Sequence, residues 1–322
     1  MIQQYGRKVS LIIGSDSGDA LDLSELRIVF RVKRGDLQTP NSASIRVYNV
    51  SATTAQRAES REFTRVVLQA GYEGNYGIIF VGQIKQVRRG RESQTDTFLD
   101  ITAADGDSAY NFAVVNTTLA AGSTATDHVA AATAAMIPYG VTAGYQPALP
   151  TNPLPRGKVM FGMARDFLRS VARTTQTVWS IQDSKVVLVP ETAYMPGEIP
   201  VVTSETGMVG MPQQTSNGIE VKMLLNPSVK IGRLIQIDNT SIQQYEYSLN
   251  VGQQAENERI EMQAKLQDDG FYYVMLADVS GDTRGEEWYT SVTCLAADVT
   301  VLPDSFMKKA IVPPDGVIKP YG

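Results

Sequence analysis

His128 is the only histidine of the chain and Cys294 its only cysteine. These two residues limit the chemistry on offer. A Ser–His–Asp or Cys–His arrangement would have to run through His128, whose sequence neighbour is Asp127. Both sit in the alanine-rich stretch GSTATDHVAAATAAMIPYG, which predicts a helix from about Thr124 to Met136 stopped by Pro138. Adjacent helical residues do not face each other, and general acid–base catalysis needs a positioned imidazole. His128 is therefore expected to be structural. One histidine and one cysteine are too few for a zinc site, and a single thiol closes no intramolecular disulfide. That fits assembly in a reducing cytoplasm.

Carboxylates are more plentiful. Asp16, Asp19 and Asp22 in SDSGDALD, and Asp105 with Asp107 in ADGDS, are spaced like pieces of calcium loops. Neither run has the full ligand series ending in a bidentate Glu, and Asp with Gly is ordinary turn chemistry. Glu286 and Glu287 in GDTRGEEWYT could act as the paired acids of a glycosidase, whose spacing is a three-dimensional property; solvated charges at a strand start are the simpler reading. The same segment holds Arg284 and Trp288, types enriched in protein interfaces. No glycine-rich phosphate loop followed by Lys and Ser or Thr occurs. The residues thus point to no catalytic, cofactor-binding or metal site, and to no cofactor.

The elements that would position such groups are mostly strands. Thr39 to Val87 holds three strand-like runs and one short helical insert, with no histidine, cysteine or carboxylate cluster. Just before it, Leu26, Ile28, Phe30 and Val32 alternate with Arg27, Val29, Arg31 and Lys33, a period of two with an apolar face inward and a basic face outward. Ile45 and Val47 repeat the pattern against Arg46 and Tyr48. Ser51 is a favoured N-cap for a helix reaching Arg61. Strands at TRVVLQAGY, YGIIFVGQIKQV and DTFLDITAAD follow, with turns expected at Glu73-Gly74 and Arg89-Gly90. Short strands with tight turns suggest a barrel or sandwich.

The middle third changes character. After the alanine-rich helix comes a proline-rich loop, YQPALPTNPLP, and then GMARDFLRSVART, which puts Ala164, Phe167, Leu168, Val171 and Ala172 on one helical face. In VWSIQDSKVVLVP two strands flank Asp183-Ser184 as in a hairpin. From Gly207 strands return: Ile219, Val221 and Met223 alternate with Glu220 and Lys222, and RLIQID, GFYYVMLADV and EWYTSVTCLA complete the set. Residues 256–269 read as a short helix or a connection, and the tail VPPDGVIKPYG has too many breakers for regular structure.

Composition narrows the class further. The 322 residues carry 29 Lys and Arg against 34 Asp and Glu, a formal charge of -5. A mildly acidic chain is poorly suited to wrapping nucleic acid, although like charge helps DNA slide past without adhering. The apolar run after Arg7 and Lys8 is too short for a signal peptide, and no window approaches a membrane span. A soluble protein with no membrane span is expected.

Taken in order, TPNSASIRVYNVS, VVLQAGYEGNYGIIFVGQI, TFLDITAADGDSAY, GMARDFLRSVARTTQTVWSIQDSKVVLVP, TGMVGMPQQTSNGIEVKMLLNPSVKIGRLIQID and GFYYVMLADVSGDTRGEEWYTSVTCLA resemble the baseplate hub proteins of long-tailed, Mu-like bacteriophages. The likeness runs from about residue 25 to 300. Hubs of this family are related to the hub domains of type VI secretion spike proteins. Relatives carry a histidine before the Gly-Asp of the last block; this chain has Ser280 there. The resemblance implies a mainly β chain with an α+β insertion and two tail-tube-like β-barrel domains, residues 1–106 and 205–310, with the insertion at 107–204 and a tail at 311–322. It implies a non-enzymatic homotrimer that adapts the sixfold tail tube to the threefold spike. Its expected partners are tail-tube subunits, the central spike, other baseplate proteins, and DNA or tape-measure protein passing through the lumen. It would be part of the virion, assembled in the host cytoplasm. A peptidoglycan-cleaving hub and a sixfold tube-completion protein are the alternative readings. The basic face on Arg27, Arg31 and Lys33 is expected to meet an acidic neighbouring ring.

Overall fold

A computed structural model describes residues 5–15, 18–60, 62–215, 217–238, 242 and 270–296. The expectations for Asp16, Arg61, residues 256–269 and the tail at 311–322 lie outside these residues. The chain opens with β1 (Arg7–Gly14), β2 (Ala20–Asp22), β3 (Ile28–Gly35), β4 (Ser42–Tyr48) and α1 (Ala52–Glu59). Then come β5 (Arg65–Tyr72), β6 (Asn75–Arg91) and β7 (Thr97–Ala104). The middle third holds α2 (Asp107–Phe112), β8 (Val114–Leu119), α3 (Ala125–Met136) and β9 (Thr142–Ala143). It continues with β10 (Lys158–Met163), α4 (Ala164–Thr174), β11 (Thr177–Gln182) and β12 (Lys185–Pro190). The last third is β13 (Val201–Val202), β14 (Gln213–Thr215), β15 (Gly218–Leu224), β16 (Leu234–Ile237), β17 (Phe271–Asp282) and β18 (Trp288–Ala296).

The period-two reading of β3 holds: Ile28, Phe30 and Val32 are buried while Arg31 and Lys33 are exposed. With Leu11 and Ile13 of β1, Ile45 and Val47 of β4, Val66 and Leu68 of β5, and Leu99 and Ile101 of β7, they enclose one core, so this part of the sheet curls around a shared interior. Burying side chains of this size contributes about 1.5–3 kcal/mol each. Helix α1 closes one side with Ala55 and Ala58. It starts at Ser51, whose Oγ accepts the Thr54 N–H at 3.1 Å, and its last residue is Glu59. Ser51→Ala is expected to cost about 1 kcal/mol of unfolding free energy, the ordinary worth of an N-cap, read from a urea denaturation midpoint.

Two expectations are corrected here. Arg89-Gly90 is no turn; β6 runs straight through it to Arg91, and the chain reverses after Glu92. Gly90 is needed for space, since a β-carbon there would overlap the Phe98 ring on the neighbouring strand. The second correction concerns the two closed barrels. Among the described residues thirteen strands form one open sheet, ordered β14-β15-β18-β17-β3-β4-β7-β6-β5-β1-β2, with β16 on β17 and β13 on β16.

The physical reason is β17, which serves two partners. Its first half pairs with β16, Leu234 opposite Tyr273 and Gln236 opposite Phe271. Its second half pairs with β3, from Leu276 opposite Gly35 to Asp282 opposite Val29. The switch falls at a bulge: the register against β18 slips between Val274 and Leu276, and the carbonyl of the extra residue, Met275, accepts the Asp36 N–H at 3.1 Å. A bulge bends a strand and frees it to change direction. Burial follows the same division. Phe271, Tyr272, Tyr273 and Val274 are all buried, whereas Asp278 and Ser280 beyond the bulge face outward between buried Ala277 and Val279.

The middle third forms its own core under α3 and α4, from Val115, Val129, Met136, Met160, Leu168 and Trp179. The apolar face read for α4 is the buried one, with Phe167 at its margin. Strands β8 and β10 make a separate two-stranded ribbon, and β11, β12 and β9 a three-stranded sheet. Asp183 and Ser184 close the β11–β12 hairpin with φ of 52° and 60°, the paired left-handed conformation of a tight two-residue turn.

Candidate assembly site

The residues singled out for chemistry do not converge. Asp127 Oδ2 accepts the backbone N–H of Thr124 at 2.7 Å and its hydroxyl at 3.0 Å, closing the N-terminus of α3 as a capping residue. These bonds hold its carboxyl below the usual range. His128, one position on, is buried in that helix, and desolvation lowers its pKa. Asp22 accepts from the Ser24 N–H at 2.9 Å, and Asp19 belongs to a turn with Ser15. Asp107 pairs with Lys85 and accepts from Asn111 at 3.0 Å. Among the described residues no three His, Cys, Asp or Glu side chains gather as metal ligands.

Glu286 and Glu287 are exposed in the β17–β18 turn, where it is their backbone carbonyls that bond, to Arg7 and to the Asp282 N–H. Trp288 is a correction to the interface reading. It is 1% exposed, edge-on to Phe30 at 5.4 Å, with the Arg7 guanidinium 5.5 Å from its ring centre. It is core, not contact surface. Arg284 is exposed. Cys294 is fully buried, and burial pushes its thiol pKa far up, so it offers no thiolate.

What does converge is a buried polar joint that ties the three parts of the chain together. Arg34, at the end of β3, donates to the Ile79 carbonyl at 3.1 Å, to Gln182 Oε1 at 3.2 Å and to Asp183 Oδ2 at 3.0 Å. Asn41 accepts the Gly35 N–H at 2.9 Å and donates to the Ile181 carbonyl at 3.1 Å and to Gln182 Oε1 at 2.9 Å. Gln182 Nε2 returns to the Gly35 carbonyl at 2.7 Å. From the last third, Lys230 Nζ reaches the Ile78 carbonyl at 2.7 Å and lies 3.8 Å from Asp183. Asp105, 1% exposed, accepts the Ser184 N–H at 2.8 Å. The β11–β12 hairpin is thus pinned to the large sheet by satisfied buried groups, which fix a unique docking geometry.

This joint sets two pKa values off their ordinary positions. Burial pushes the Asp105 carboxyl up to about 7, with the nearby Asp183 charge adding to it and the Ser184 N–H opposing it. Burial and the neighbouring Arg34 bring Lys230 down to about 8. Sequence reasoning found the Asp183-Ser184 turn and noticed Asp105, but missed Arg34, Asn41, Gln182 and Lys230. The one signal for them was a basic residue, Arg34, where β3 ends beside a Gly and an Asp.

The outward face of the sheet runs unbroken from β15 to β7. Lys222, Ser291, Asp278, Lys33 and Ser42 lie in one cross-strand row, and Tyr289, Ser280, Arg31, Ser44 and Thr102 in the next. Further along, Asp100 sits between Arg46 at 2.7 Å and Arg88 at 3.1 Å. Of the basic trio, Arg27 is already engaged. It grips both oxygens of Asp282, at 3.2 and 2.7 Å, and lies over the Tyr48 ring; the Arg27 hydrogen bond holds the Asp282 carboxyl low. Arg31 and Lys33 remain exposed. No helix among the described residues is long and apolar enough to cross a membrane.

Comparison with known proteins agrees with this architecture. The family model described as "Baseplate hub gp41" matches residues 8–247. No curated protein sequence matches the chain. Among solved structures, the 43 kDa tail protein of prophage MuSo2 from Shewanella oneidensis is 7% identical with a TM-score of 0.56, over 90% of this chain and 97% of that one. The tail protein from Neisseria meningitidis MC58 is 10% identical with a TM-score of 0.55, over 95% of this chain and all of that one. The Escherichia coli c3393 protein, a component of the type VI secretion system, is 9% identical with a TM-score of 0.47, over 96% and 80% of the two chains. At such identities the first two likenesses speak for the fold.

Proposed function

The chain belongs to the baseplate hub gp41 family, and on that premise we propose that three copies form a ring in a phage tail baseplate, joining the sixfold tail tube to a threefold spike. The observation that carries this reading is the single sheet fused at β17 and β3. Each chain thereby brings two linked strand sets, and three chains bring six, which answers a sixfold tube with a threefold ring. The sets correspond to residues 1–106 and 205–310 as tube-like units, with 107–204 as the insertion and 311–322 as a tail. Short terminal strands, β14 and β2 with three residues each, leave edges that the next copy or a tube subunit can extend.

The role is structural, without a catalytic centre. The outward face, with its rows of Ser and Thr and with Lys33 opposite Asp278, lines the lumen. Hydroxyl groups and balanced charge let DNA or a tape-measure protein pass without sequence-specific binding. The chain is a virion component assembled in the host cytoplasm, contacting tube subunits, the spike and other baseplate proteins. The copy number in purified particles, by quantitative mass spectrometry against tube subunits, tests the ring: three are expected, and six overturns it.

A further inference from the structure

A cavity of about 280 Å³ sits where the first turn of α3 meets the end of α4. Ala125 and His128, three residues apart and so on one face of that turn, line it from α3, and Lys158 lines it from the start of β10. His128 is only 8% exposed, and its Nε2 is buried with no hydrogen-bond partner among the described residues. A buried polar atom of this kind calls for a partner from outside the chain. Ser123 Oγ, just before the start of the helix, is buried and unpartnered as well. The Ser123 carbonyl accepts the N–H of Leu154, another wall residue, at 2.9 Å.

The wall carries charge of one sign. Lys158 is the one charged side chain that lines the cavity, and among the described residues no carboxylate pairs with it. Helix geometry leaves the N–H groups of Ala125 and Thr126 without an intrahelical acceptor, at the positive end of the helix. Asp127 is engaged by Thr124 and does not line the cavity. The carbonyls that end α4 would repel an anion, but those of Ser170 and Val171 already accept the Thr174 and Thr175 hydroxyls, at 3.2 and 2.8 Å. Two charges act on His128 itself: Lys158 opposes its protonation and Asp127 favours it. We propose that this cavity binds a small oxyanion, held by the Lys158 ammonium, the N-terminus of α3 and the Nε2–H of His128. The anion supplies the acceptor that Nε2 lacks and the counter-charge that Lys158 lacks, at a helix end suited to it. The cavity lies within residues 125–175, all in the middle third. It therefore shares no residue with the outward rows of the large sheet, and it does not depend on the ring reading.

His128 is the only histidine of the chain, so its ring-proton resonance reports on the site without ambiguity. The probe is sulfate, whose charge is constant across the range in which histidine titrates, with sodium chloride at equal ionic strength as the reference. An anion beside the imidazole favours its charged form. Saturating sulfate is therefore expected to raise the His128 titration midpoint in the full chain by about one pH unit or more, which is sulfate binding about tenfold more tightly to the protonated form. Lys158→Met, at a half-buried position without an ion pair, should keep the wild-type unfolding midpoint in chloride and lose the effect of sulfate. Lys158→Gln gives the same reading if the methionine variant unfolds. A midpoint that is the same in both salts, a rise that never saturates, or a rise that the Lys158 variants retain overturns the site, and the cavity then holds water alone.

Discussion

Arg34→Met is expected to lower the unfolding free energy by about 3–5 kcal/mol, the cost of removing one partner from a buried ion pair. Methionine fills much of the space, so the loss is electrostatic. Asp183 keeps only the more distant Lys230, at 3.8 Å, and the Ile79 carbonyl loses its 3.1 Å donor. Gln182 Oε1 retains Asn41, which limits the damage to the Arg34 side of the joint. The exposed Lys8–Glu73 pair, at 3.4 Å, is the control; Lys8→Met should cost no more than about 1 kcal/mol. Urea unfolding of both variants with wild type decides it. A loss at Arg34 as small as that at Lys8 would mean that the joint does not hold the hairpin to the sheet.

Asp105→Asn should alter how stability depends on pH. The folded carboxyl titrates at about 7, above its ordinary 3.8, so between these values the folded chain binds a proton that the unfolded chain has released. Stability from this group is fully present below about pH 4 and falls as pH rises, the loss being complete above about 7. Three units correspond to roughly 4 kcal/mol. Carboxylates such as Asp282 and Asp127, held low by their hydrogen bonds, act in the opposite sense on acidification. The useful quantity is therefore the difference between wild type and variant. Asparagine stays neutral and still accepts the Ser184 N–H, so the variant should gain on wild type from pH 4 to 7 and hold the gain above. Lys230, brought down to about 8, is half titrated at that pH, so measurements should stop short of it. Parallel curves across that window would show that Asp105 ionises freely.

Much of this architecture was legible locally. The alternation in β3, the apolar face of α4 and the tight turn at Asp183-Ser184 each follow from a period or a turn preference within a dozen residues. What the local pattern could not show is partnership at long range. GFYYVMLADVSGD reads as one strand, but nothing in it says that Met275 is a bulge where the partner changes from β16 to β3. The joint is hidden for the same reason: Arg34, Gln182 and Lys230 are each ordinary polar residues until the fold brings them together. Gly90 and Trp288 show the opposite error. Glycine suggested a turn and tryptophan a contact surface, because composition alone does not distinguish these from a glycine clearing a ring and a tryptophan filling a core.

The ring itself is tested most directly by reconstructing the tail tip by electron microscopy without imposed symmetry. The density for this chain should repeat three times, each copy supplying two linked strand sets directly beneath a sixfold tube ring. Six equivalent copies with one strand set each at the wall would contradict the account.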